Sequence, residues 1–370
     1  MRIDEICTYA PKSGIKAGEA TKDGQYMFFT SSEDESKRYT DYQYDGEGII
    51  MGTGGNATLH YYHGKYAVST DCIVLNPDDR VRCKYLYYFF LANMPILEAG
   101  FKGAGLKHTN KKYIGSITIP EIPSYDEQDR VIEIFDNISG IIYARNLEIA
   151  KLDNLIKARF VEMFGDPELN DKEWPCKTLG DVLSVEPQNG LYKPQSAYKQ
   201  DGTGTPIVRI DAFYDGKVTD FNKLRRLVCS DAEKEKYILQ ENDIVINRVN
   251  SIEYLGKCAQ IIGMREPTVY ESNMMRFHVD ETRVDPCFMT RLLCSTFIYR
   301  QILNRAKKAV NQASINQRDV QSFTVIIPPI DLQKQFASFV NQVDKSKAAV
   351  QKSLDKTQLL FDSLMQKYFG

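Results

Sequence analysis

Two stretches of the chain repeat apolar residues with the period of a helix over an unusual length. From Asp126 to Met163 there is no proline and one glycine, Gly140. The apolar positions of this first stretch are 131, 134, 138, 141 or 142, 149, 152, 155 or 156 and 160. Those of the second stretch are 336, 339 or 340, 343, 350, 354, 360 or 361, 364 and 368. This spacing predicts two helices of ~38 residues and ~57 Å, each with a narrow apolar seam.

A seam of this length is not stable when exposed to water, because burial stabilises apolar surface. Two seams in one chain can bury each other, and we expect the helices to form an antiparallel coiled coil. The alternative is that each helix lies on its own domain. The seam, however, extends beyond the length that a domain of roughly 160 residues would cover.

Outside these helices, short apolar runs alternate with Gly, Asn and Asp, which is typical of strands joined by turns. The predicted strands are 26–29, 48–51 and 67–68 in the first half, and 206–209, 243–246 and 259–262 in the second. An apolar helix follows in each half, at 85–97 and 288–303. A last strand then leads into prolines, at 117–123 and 323–329.

The two halves also repeat each other in sequence. Ile122-Pro-Ser-Tyr-Asp-Glu-Gln128 returns 205 positions later as Ile327-Pro-Pro-Ile-Asp-Leu-Gln333, and this offset holds to the Phe-Gly pairs at 164–165 and 369–370. The beginnings match at an offset of 176, with Ile-Asp-Glu-Ile at 3–6 against Leu-Gly-Asp-Val at 179–182. The second copy is therefore 29 residues longer in its middle. Matching ends and different middles indicate a shared frame that carries two different functional regions.

These patterns predict an α+β protein with a pseudo-two-fold internal repeat. Two globular domains, each a twisted sheet with helices, would be joined by two long antiparallel helices that form a coiled-coil spacer. The predicted segments are a first domain at 1–123, a first long helix at 124–165, a second domain at 166–329 and a second long helix at 330–370.

Composition agrees with two globular domains and narrows the protein class. The chain has 370 residues, of which 43% are hydrophobic and 26% charged. No run approaches the ~18 apolar residues of a membrane span, and acids stand near the N-terminus where a signal peptide would be apolar, so we expect a cytoplasmic protein without membrane contact. The eight cysteines include no C-x-x-C pair, which argues against a disulfide framework or a zinc ribbon. The net charge of −2 requires that any nucleic-acid surface be local.

The order of segments resembles the specificity subunit of type I restriction–modification enzymes. The resemblance rests on the Ile-Pro…Gln openings at 122–128 and 327–333, on the Leu-Asp-Asn-Leu…Met-Phe-Gly run at 152–165, and on Trp-Pro…Leu-Gly-Asp-Val at 174–182. Each motif is weak by itself, but their doubled order is specific and covers essentially the whole chain.

The resemblance implies a function, partners and cofactors. The two domains would be target recognition domains, each recognising one half of a bipartite, asymmetric site in double-stranded DNA. The helix pair would set the spacing and dock two methyltransferase subunits, which restriction and translocase subunits join. The chain would not be an enzyme, and S-adenosylmethionine, ATP and magnesium would be bound by the partner subunits.

A basic window just before the last strand recurs in both copies. Residues 101–115 contain four lysines and no acid, and residues 304–318 are likewise free of acids. Solvated loops are the usual place for such runs, but the recurrence in a slightly acidic chain favours phosphate contact. The predicted phosphate-binding residues are Lys102, Lys107, Lys111, Lys112, Arg305, Lys307, Lys308 and Arg318. Amides in or next to the windows could pair with adenine edges; these are Asn110, Asn311, Gln312, Asn316 and Gln317.

A second candidate follows the central strand of each copy. Both places are polar, but their sequences differ, as two different DNA words would require. The candidates for base contact are Thr53, Asn56, His60, Tyr61 and His63 in the first copy, and Asn247, Arg248 and Asn250 in the second. An ordinary hairpin turn is the alternative. Arg209 is a weaker candidate.

Several catalytic and cofactor chemistries are excluded by their missing motifs. The Gly-rich run at 52–57 is followed by a hairpin pattern rather than a helix, so it offers no dinucleotide site. His60 and His63 lack a third metal ligand nearby, and we predict no metal site. The chain has neither a phosphate-binding G-x-x-x-x-G-K-[S/T] loop nor the Asn/Asp-Pro-Pro-aromatic motif of adenine methyltransferases.

Two alternative functions remain open at this point. The same architecture could serve a type IIB or IIG restriction system, in which one partner both methylates and cleaves. Alternatively, the chain could be a coiled-coil scaffold whose domains bind proteins instead of DNA.

Overall fold

The computed structural model describes residues 1–103 and 105–370, and its contacts divide them into two compact units. Unit 1 comprises Met1–Ile149 and Ala349–Gly370, and unit 2 comprises Ala150–Ala348. Each unit therefore takes in one globular region and parts of both long helices.

Unit 1 contains one six-stranded sheet and a group of helices. The strands are β1 Cys7–Tyr9, β2 Tyr26–Phe29, β3 Arg38–Tyr39, β4 Tyr44–Gly52, β5 Leu59–Val68 and β6 Cys72–Pro77. The helices are α1 Ile3–Ile6, α2 Cys83–Ala92, α3 Met94–Glu98, α4 Lys111–Ser116 and the first part of α5 Tyr125–Phe164. The sheet order is β1-β6-β4-β5-β2-β3, with β2 parallel to β5 and every other pair antiparallel.

Unit 2 has more strands, because it contains the longer copy. They are β7 Cys176–Thr178, β8 Leu183–Asn189, β9 Tyr198–Lys199, β10 Thr205–Val208, β11 Phe213–Tyr214, β12 Gly216–Val218, β13 Arg225–Leu227, β14 Ile244–Asn247, β15 Val249–Asn250, β16 Cys258–Gln260, β17 Val269–Tyr270, β18 Met274–Val279, β19 Lys307–Lys308, β20 Ala313–Ser314 and β21 Thr324–Ile326. The helices are α6 Asp231–Tyr237, α7 Pro286–Leu293, α8 Thr296–Arg305, α9 Gln317–Gln321 and the first part of α10 Ile330–Phe369. The end of α5 also belongs to unit 2, and the end of α10 to unit 1.

The central sheets of the two units share one order of strands. In unit 2 the order is β11-β12-β16-β14-β18-β8, so that β8, β18, β14 and β16 correspond to β1, β6, β4 and β5. The parallel neighbour is repeated as well, since β12 is parallel to β16 as β2 is to β5. The extra residues of the second copy build α6 and a separate sheet, β17-β10-β13-β9. The strand predicted at 206–209 belongs to this extra sheet and not to the shared frame.

The two long helices pair within each unit through buried aromatic residues. At two places the buried residue is one position beyond the predicted seam, since Phe135 and Phe369 are buried where the pattern indicated 134 and 368. In unit 1 the Phe135 ring lies 5.4 Å from that of Phe361 and 5.8 Å from that of Phe369. In unit 2 the Phe336 ring lies 5.5 Å from that of Phe160 and 5.4 Å from that of Phe164. The first part of α5 thus contacts the end of α10, and the end of α5 contacts the first part of α10. This is the order of partners in an antiparallel pair.

Burial also decides which of two adjacent positions belongs to the seam. Where the pattern left 155 or 156 open, Ile156 is 3% exposed and Leu155 is 46% exposed. At 339 or 340 the buried residue is Val340, and at 360 or 361 Leu360 is exposed whereas Phe361 packs on the core of unit 1. The predicted class, with mixed helix and sheet, two globular domains and two long helices, is confirmed.

A buried glutamine ties each long helix to its globular region. Gln128 accepts a hydrogen bond from the backbone N–H of Arg82 at 2.7 Å and donates to the carbonyl of Pro123 at 2.9 Å. Gln333 accepts from the N–H of Asp285 at 2.8 Å and donates to the carbonyl of Pro328 at 2.7 Å. Because Arg82 and Asp285 directly precede α2 and α7, both amides fix the start of an apolar helix against a long one.

Three predicted elements differ from the structure, two helices and one strand. The helices predicted at 85–97 and 288–303 are each broken in two, because Pro95 lacks the N–H that would continue a helix and the Ser295 side chain caps a new one. The strand predicted at 117–123 is reduced to one bridge between Thr118 and Arg2, whereas its counterpart β21 pairs with β7. No helix among the described residues is long and apolar enough to span a bilayer.

Replacing either buried glutamine should destabilise the protein. Gln128→Ala or Gln333→Ala leaves buried backbone groups without partners, and we expect the free energy of unfolding to fall by about 1–3 kcal/mol in each case. Urea titration followed by circular dichroism measures this change. The control is Gln351→Ala, whose amide bonds Asp355 on an exposed helix face and should change stability by less than about 0.5 kcal/mol. If all three variants unfolded at the same urea concentration, the proposed role of the buried glutamines would be contradicted.

Candidate nucleic-acid interface

In unit 2 the two candidate regions, which are far apart in sequence, form one small sheet. The order of its strands is β15-β20-β19. Val249 and Asn250 of the polar loop pair with Ser314 and Ala313, which in turn pair with Lys307 and Lys308. We call residues 307–314 the second hairpin.

Unit 1 places the equivalent regions together in the same way. Lys102 and His108 exchange two backbone hydrogen bonds of 3.0 Å, and His108 also forms a bridge with Gly54. The Gly55 N–H donates to the Lys107 carbonyl at 2.9 Å, which completes the contact between loop and window. We call residues 102–103 and 105–108 the first hairpin. The same three-part arrangement therefore occurs in both units, built from different residues.

Four of the eight predicted cations lie in these hairpins, and three more lie in the short helices α4 and α9 that follow them. Seven of the eight are solvent-exposed: Lys102, Lys107, Lys111, Lys112, Lys307, Lys308 and Arg318. Within residues 1–103 and 105–370, none of the seven forms a salt bridge. The ammonium of Lys111 lies 4.9 Å from the centre of the Tyr9 ring. The charges of this group are thus available to an anionic partner.

The eighth predicted cation, Arg305, has a structural position instead. Its guanidinium donates to the hydroxyl of Ser322 at 2.8 Å, to the carbonyl of Ser322 at 3.1 Å and to the carbonyl of Gln301 at 3.0 Å. It also lies over the Phe323 ring, 5.6 Å from the centre. These contacts join the end of α8 to the segment before β21, so we leave Arg305 out of the candidate surface.

The candidate amides fall into two groups. Asn110 and Asn316 cap α4 and α9, since their side chains accept hydrogen bonds from the backbone of the third helical residue. The amide of Gln317 donates to the Pro187 carbonyl at 2.7 Å. Asn311 and Gln312 lie exposed at the turn of the second hairpin and are free to contact a base edge.

Three candidates of unit 1 that were predicted in a loop lie in strand β5. His60 is 6% exposed, and its ring nitrogens lie 3.1 Å from a Glu35 carboxylate oxygen and 3.0 Å from the Ser32 carbonyl. The Tyr61 hydroxyl donates to Glu47 at 2.5 Å; burial and this bond raise the pKa of Tyr61. His63 is exposed on the same strand.

The remaining candidates of unit 1 belong to the loop between β4 and β5. Thr53 donates from its hydroxyl to the Asp71 carbonyl at 2.9 Å, so this side chain holds the loop in place. Asn56 is exposed. Of the five candidates in this loop and β5, Asn56 and His63 are therefore the two that are exposed.

Some side chains in the polar loop of unit 2 are also buried or bonded within the fold. Asn247 is fully buried, which removes it from any surface. Arg248 donates to the Ser272 carbonyl at 3.2 Å, and the Asn250 side chain accepts from the Ser251 N–H at 2.8 Å. Arg248 and Asn250 are half-buried beside the second hairpin, where they support its position.

Arg209 lines a cleft and forms an ion pair with Glu271, which sequence patterns did not indicate. The guanidinium lies 3.5 Å from Glu271 and donates to the Tyr198 hydroxyl at 2.9 Å. Burial raises the pKa of Glu271, whereas the charge of Arg209 opposes this shift. The cleft measures about 270 Å³ and includes Lys223 and Arg225 among its lining residues. Glu271 was missed because it follows a two-residue strand, with no local pattern around it.

No group of three or more His, Cys, Asp or Glu side chains that could hold a metal ion occurs in the described part of the chain.

Comparison with known proteins connects this geometry to a family. Residues 1–152 and 171–357 match the type I restriction modification DNA specificity domain. The two matched ranges together take in most of both globular regions and of both long helices.

Individual relatives are similar over large parts of the chain. One is the "Putative type I restriction enzyme MjaX specificity subunit" of Methanocaldococcus jannaschii, which is 30% identical over 60% of this chain and 50% of its own length. Another is the EcoKI specificity subunit of Escherichia coli K12, which is 24% identical over 80% of this chain and 67% of its own length. The chain thus spans about half the length of the first relative.

A solved structure shares the fold across the entire chain. It is the type I restriction–modification S subunit from M. genitalium, with a TM-score of 0.67 and 16% identity. The match covers 100% of this chain and 95% of that one.

The exposure of the hairpin lysines predicts their chemical reactivity. Under limited acetylation of the free protein, Lys102, Lys107, Lys307 and Lys308 should be modified several-fold faster than Lys217 and Lys347. The latter two are partly buried in ion pairs with Asp344 and Asp153, which restrict access to the amine. Peptide mass spectrometry gives the rates. In urea-unfolded protein the difference should vanish, and equal rates in the folded protein would contradict the placement of these lysines.

Proposed function

The chain belongs to the family of type I restriction–modification DNA specificity proteins, and on this premise we propose that it is the DNA-recognition subunit of a type I restriction–modification enzyme. The observation that carries the proposal is the paired hairpin and loop, present once in each unit with different side chains. Each unit would recognise one half of a bipartite site. The site would be asymmetric, because the two surfaces differ.

Electrostatics supports DNA as the ligand of these surfaces. The chain has a net charge of −2, but the hairpin lysines lack carboxylate partners among the described residues. DNA phosphates would neutralise them and release counterions, which contributes to affinity without dependence on sequence. Lys102, Lys107, Lys111 and Lys112 would hold one half-site, and Lys307, Lys308 and Arg318 the other.

Sequence recognition would come from the exposed polar groups next to these lysines. Asn311 and Gln312 present amides that can pair with an adenine edge through two hydrogen bonds. Asn56 and His63 are the exposed counterparts in unit 1. His60, Asn247 and Arg305 are not part of this proposal, since their side chains are used within the fold.

The long helices would set the distance between the two recognised words and dock two methyltransferase subunits. Each helix has 40 residues, which corresponds to about 60 Å. Restriction and translocase subunits would join this core. S-adenosylmethionine, ATP and magnesium would be bound by those partners, and this chain would supply no catalytic group.

Loss of hairpin lysines should weaken DNA binding in a salt-dependent way. For the complex of this chain with its methyltransferase subunits, we expect Lys307→Gln with Lys308→Gln to lower affinity. The slope of log K against log salt should fall by about 2, since each phosphate contact contributes about 0.9. Fluorescence anisotropy on a random-sequence duplex across a salt series measures both.

The matched control removes two exposed lysines from α10, Lys352→Gln with Lys356→Gln, and should leave the slope unchanged. If the wild-type complex bound duplex DNA without a steep salt dependence, the proposed function would be wrong and a protein-binding scaffold would be favoured.

Lengthening both helices should change the gap between the recognised words and leave the words unchanged. We would insert seven residues after Ile149 and seven after Ala348, the points that divide the two units along the helices. A whole heptad keeps the seam in register and adds about 10 Å, or roughly three base pairs. Sequencing of methylated adenines in a host that carries the variant gives both the words and the gap. Altered words with an unaltered gap would refute the spacer role.

A further inference from the structure

An exposed apolar side chain occupies the turn of the hairpin in both units. Leu106 of the first hairpin is 70% exposed and Val310 of the second is 98% exposed. Each residue lies between the paired ends of its own hairpin, but the two positions are not equivalent, since Leu106 is two residues before the paired His108 and Val310 is four residues before the paired Ser314. The neighbouring turn residues differ in the two copies, whereas the apolar character is shared.

The backbone of each hairpin holds this side chain away from the globular region. In the second hairpin the Ala309 N–H donates to the Gln312 carbonyl at 2.7 Å, so that Val310 and Asn311 form the turn. In the first hairpin Gly103 has a φ of +146°, and a Cβ there would lie 2.8 Å from the Leu106 carbonyl oxygen. The close approach of the chain at this glycine shapes the turn that presents Leu106.

Single exposed apolar residues are common on protein surfaces, so exposure alone has no functional meaning. Three observations distinguish this pair: an exposed apolar residue occurs in the hairpin of both copies, it lies at the turn, and exposed lysines belong to the same hairpin. Lys102 and Lys107 accompany Leu106, and Lys307 and Lys308 accompany Val310. An apolar tip with cations beside it fits a ligand that has phosphates outside and apolar base faces inside.

We propose that Leu106 and Val310 are wedges that insert between bases, one in each half of the recognised site. This rests on the proposed function and adds to it a specific deformation of the DNA. The lysines of each hairpin would hold the phosphates of the opened step. Apolar side chains that enter a groove in this way partly unstack a base step, and the cost depends on the sequence of that step. The wedges would therefore contribute to specificity without hydrogen bonds.

The charge distribution favours DNA over a protein partner for these tips. The windows 101–115 and 304–318 contain no acidic residue, and Glu253 is the acidic residue that lines the groove beside the second hairpin. A protein partner would need an apolar pocket ringed by carboxylates. In every DNA duplex, a base step offers apolar base faces with negatively charged phosphates on both sides.

The test uses Leu106→Ser and Val310→Ser in the complex with its methyltransferase subunits. Duplexes selected by the wild-type complex from a random pool serve as probes, with 2-aminopurine placed at successive positions. Wild-type complex should increase 2-aminopurine fluorescence at one step in each half-site, because the base loses a stacking neighbour. Leu106→Ser should abolish the increase in one half-site and Val310→Ser in the other. Affinity should fall roughly tenfold per variant, with an unchanged salt slope, since no phosphate contact is lost.

Two controls separate the wedge from folding and from general surface effects. Leu106→Ile and Val310→Ile keep an apolar tip and should retain the fluorescence increase. Leu169→Ser removes a similarly exposed leucine, 76% exposed, outside both hairpins and should change nothing.

Each outcome bears on one hypothesis. Serine variants that keep the increase and the affinity, or a wild-type complex that binds tightly without unstacking any step, would overturn the wedge and leave DNA recognition intact. A wild-type complex that selects no duplex from the pool would instead overturn the proposed function.

Discussion

The structure depends on burial of apolar seams contributed by distant parts of the chain. The core of unit 1 includes Met365 and Phe369 from the end of α10, packed with Phe135 of α5. The side chain of Asn93 donates to the Phe369 carbonyl at 3.0 Å across 276 positions of sequence. Truncation of such a buried aromatic residue to alanine typically costs about 3–5 kcal/mol. Unit 1 is therefore incomplete without a helix segment encoded far away, whereas unit 2 is continuous in sequence from Ala150 to Ala348. Parts of both long helices belong to the core of each unit.

A defined series of contacts connects the helices to the candidate DNA-binding surfaces. The buried amides of Gln128 and Gln333 fix α2 and α7, which pack on the central sheets, and the central strands β4 and β14 lead directly into the loops beside the hairpins. The frame is the same in both copies because its residues are constrained by packing. The hairpins differ because exposed turns have few packing constraints, and this freedom permits two different DNA words on one scaffold.

The candidate site was predicted at the level of segments better than at the level of side chains. Recurrence identified both windows and both loops, and seven of the eight predicted cations are exposed. His60 and Asn247 were misplaced because their hydrogen-bond partners, Glu35 and Tyr254, cannot be inferred from local patterns. Arg305 could not be distinguished from its basic neighbours by charge, since its contacts with Ser322 and Phe323 exist only once the chain has folded.

Local periodicity by itself determined the two long helices, which the structure places at Tyr125–Phe164 and Ile330–Phe369, and repetition by itself determined the doubled plan. Both are short-range properties, because a helix is set by neighbours three and four positions apart. Tertiary structure decided which face of each helix is buried. It also decided the strand pairing beside the hairpins, in which Gly54 pairs with His108 and Val249 with Ser314. Such pairings join residues more than fifty positions apart, and backbone hydrogen bonds between strands are nearly independent of side-chain identity, so no local pattern encodes them.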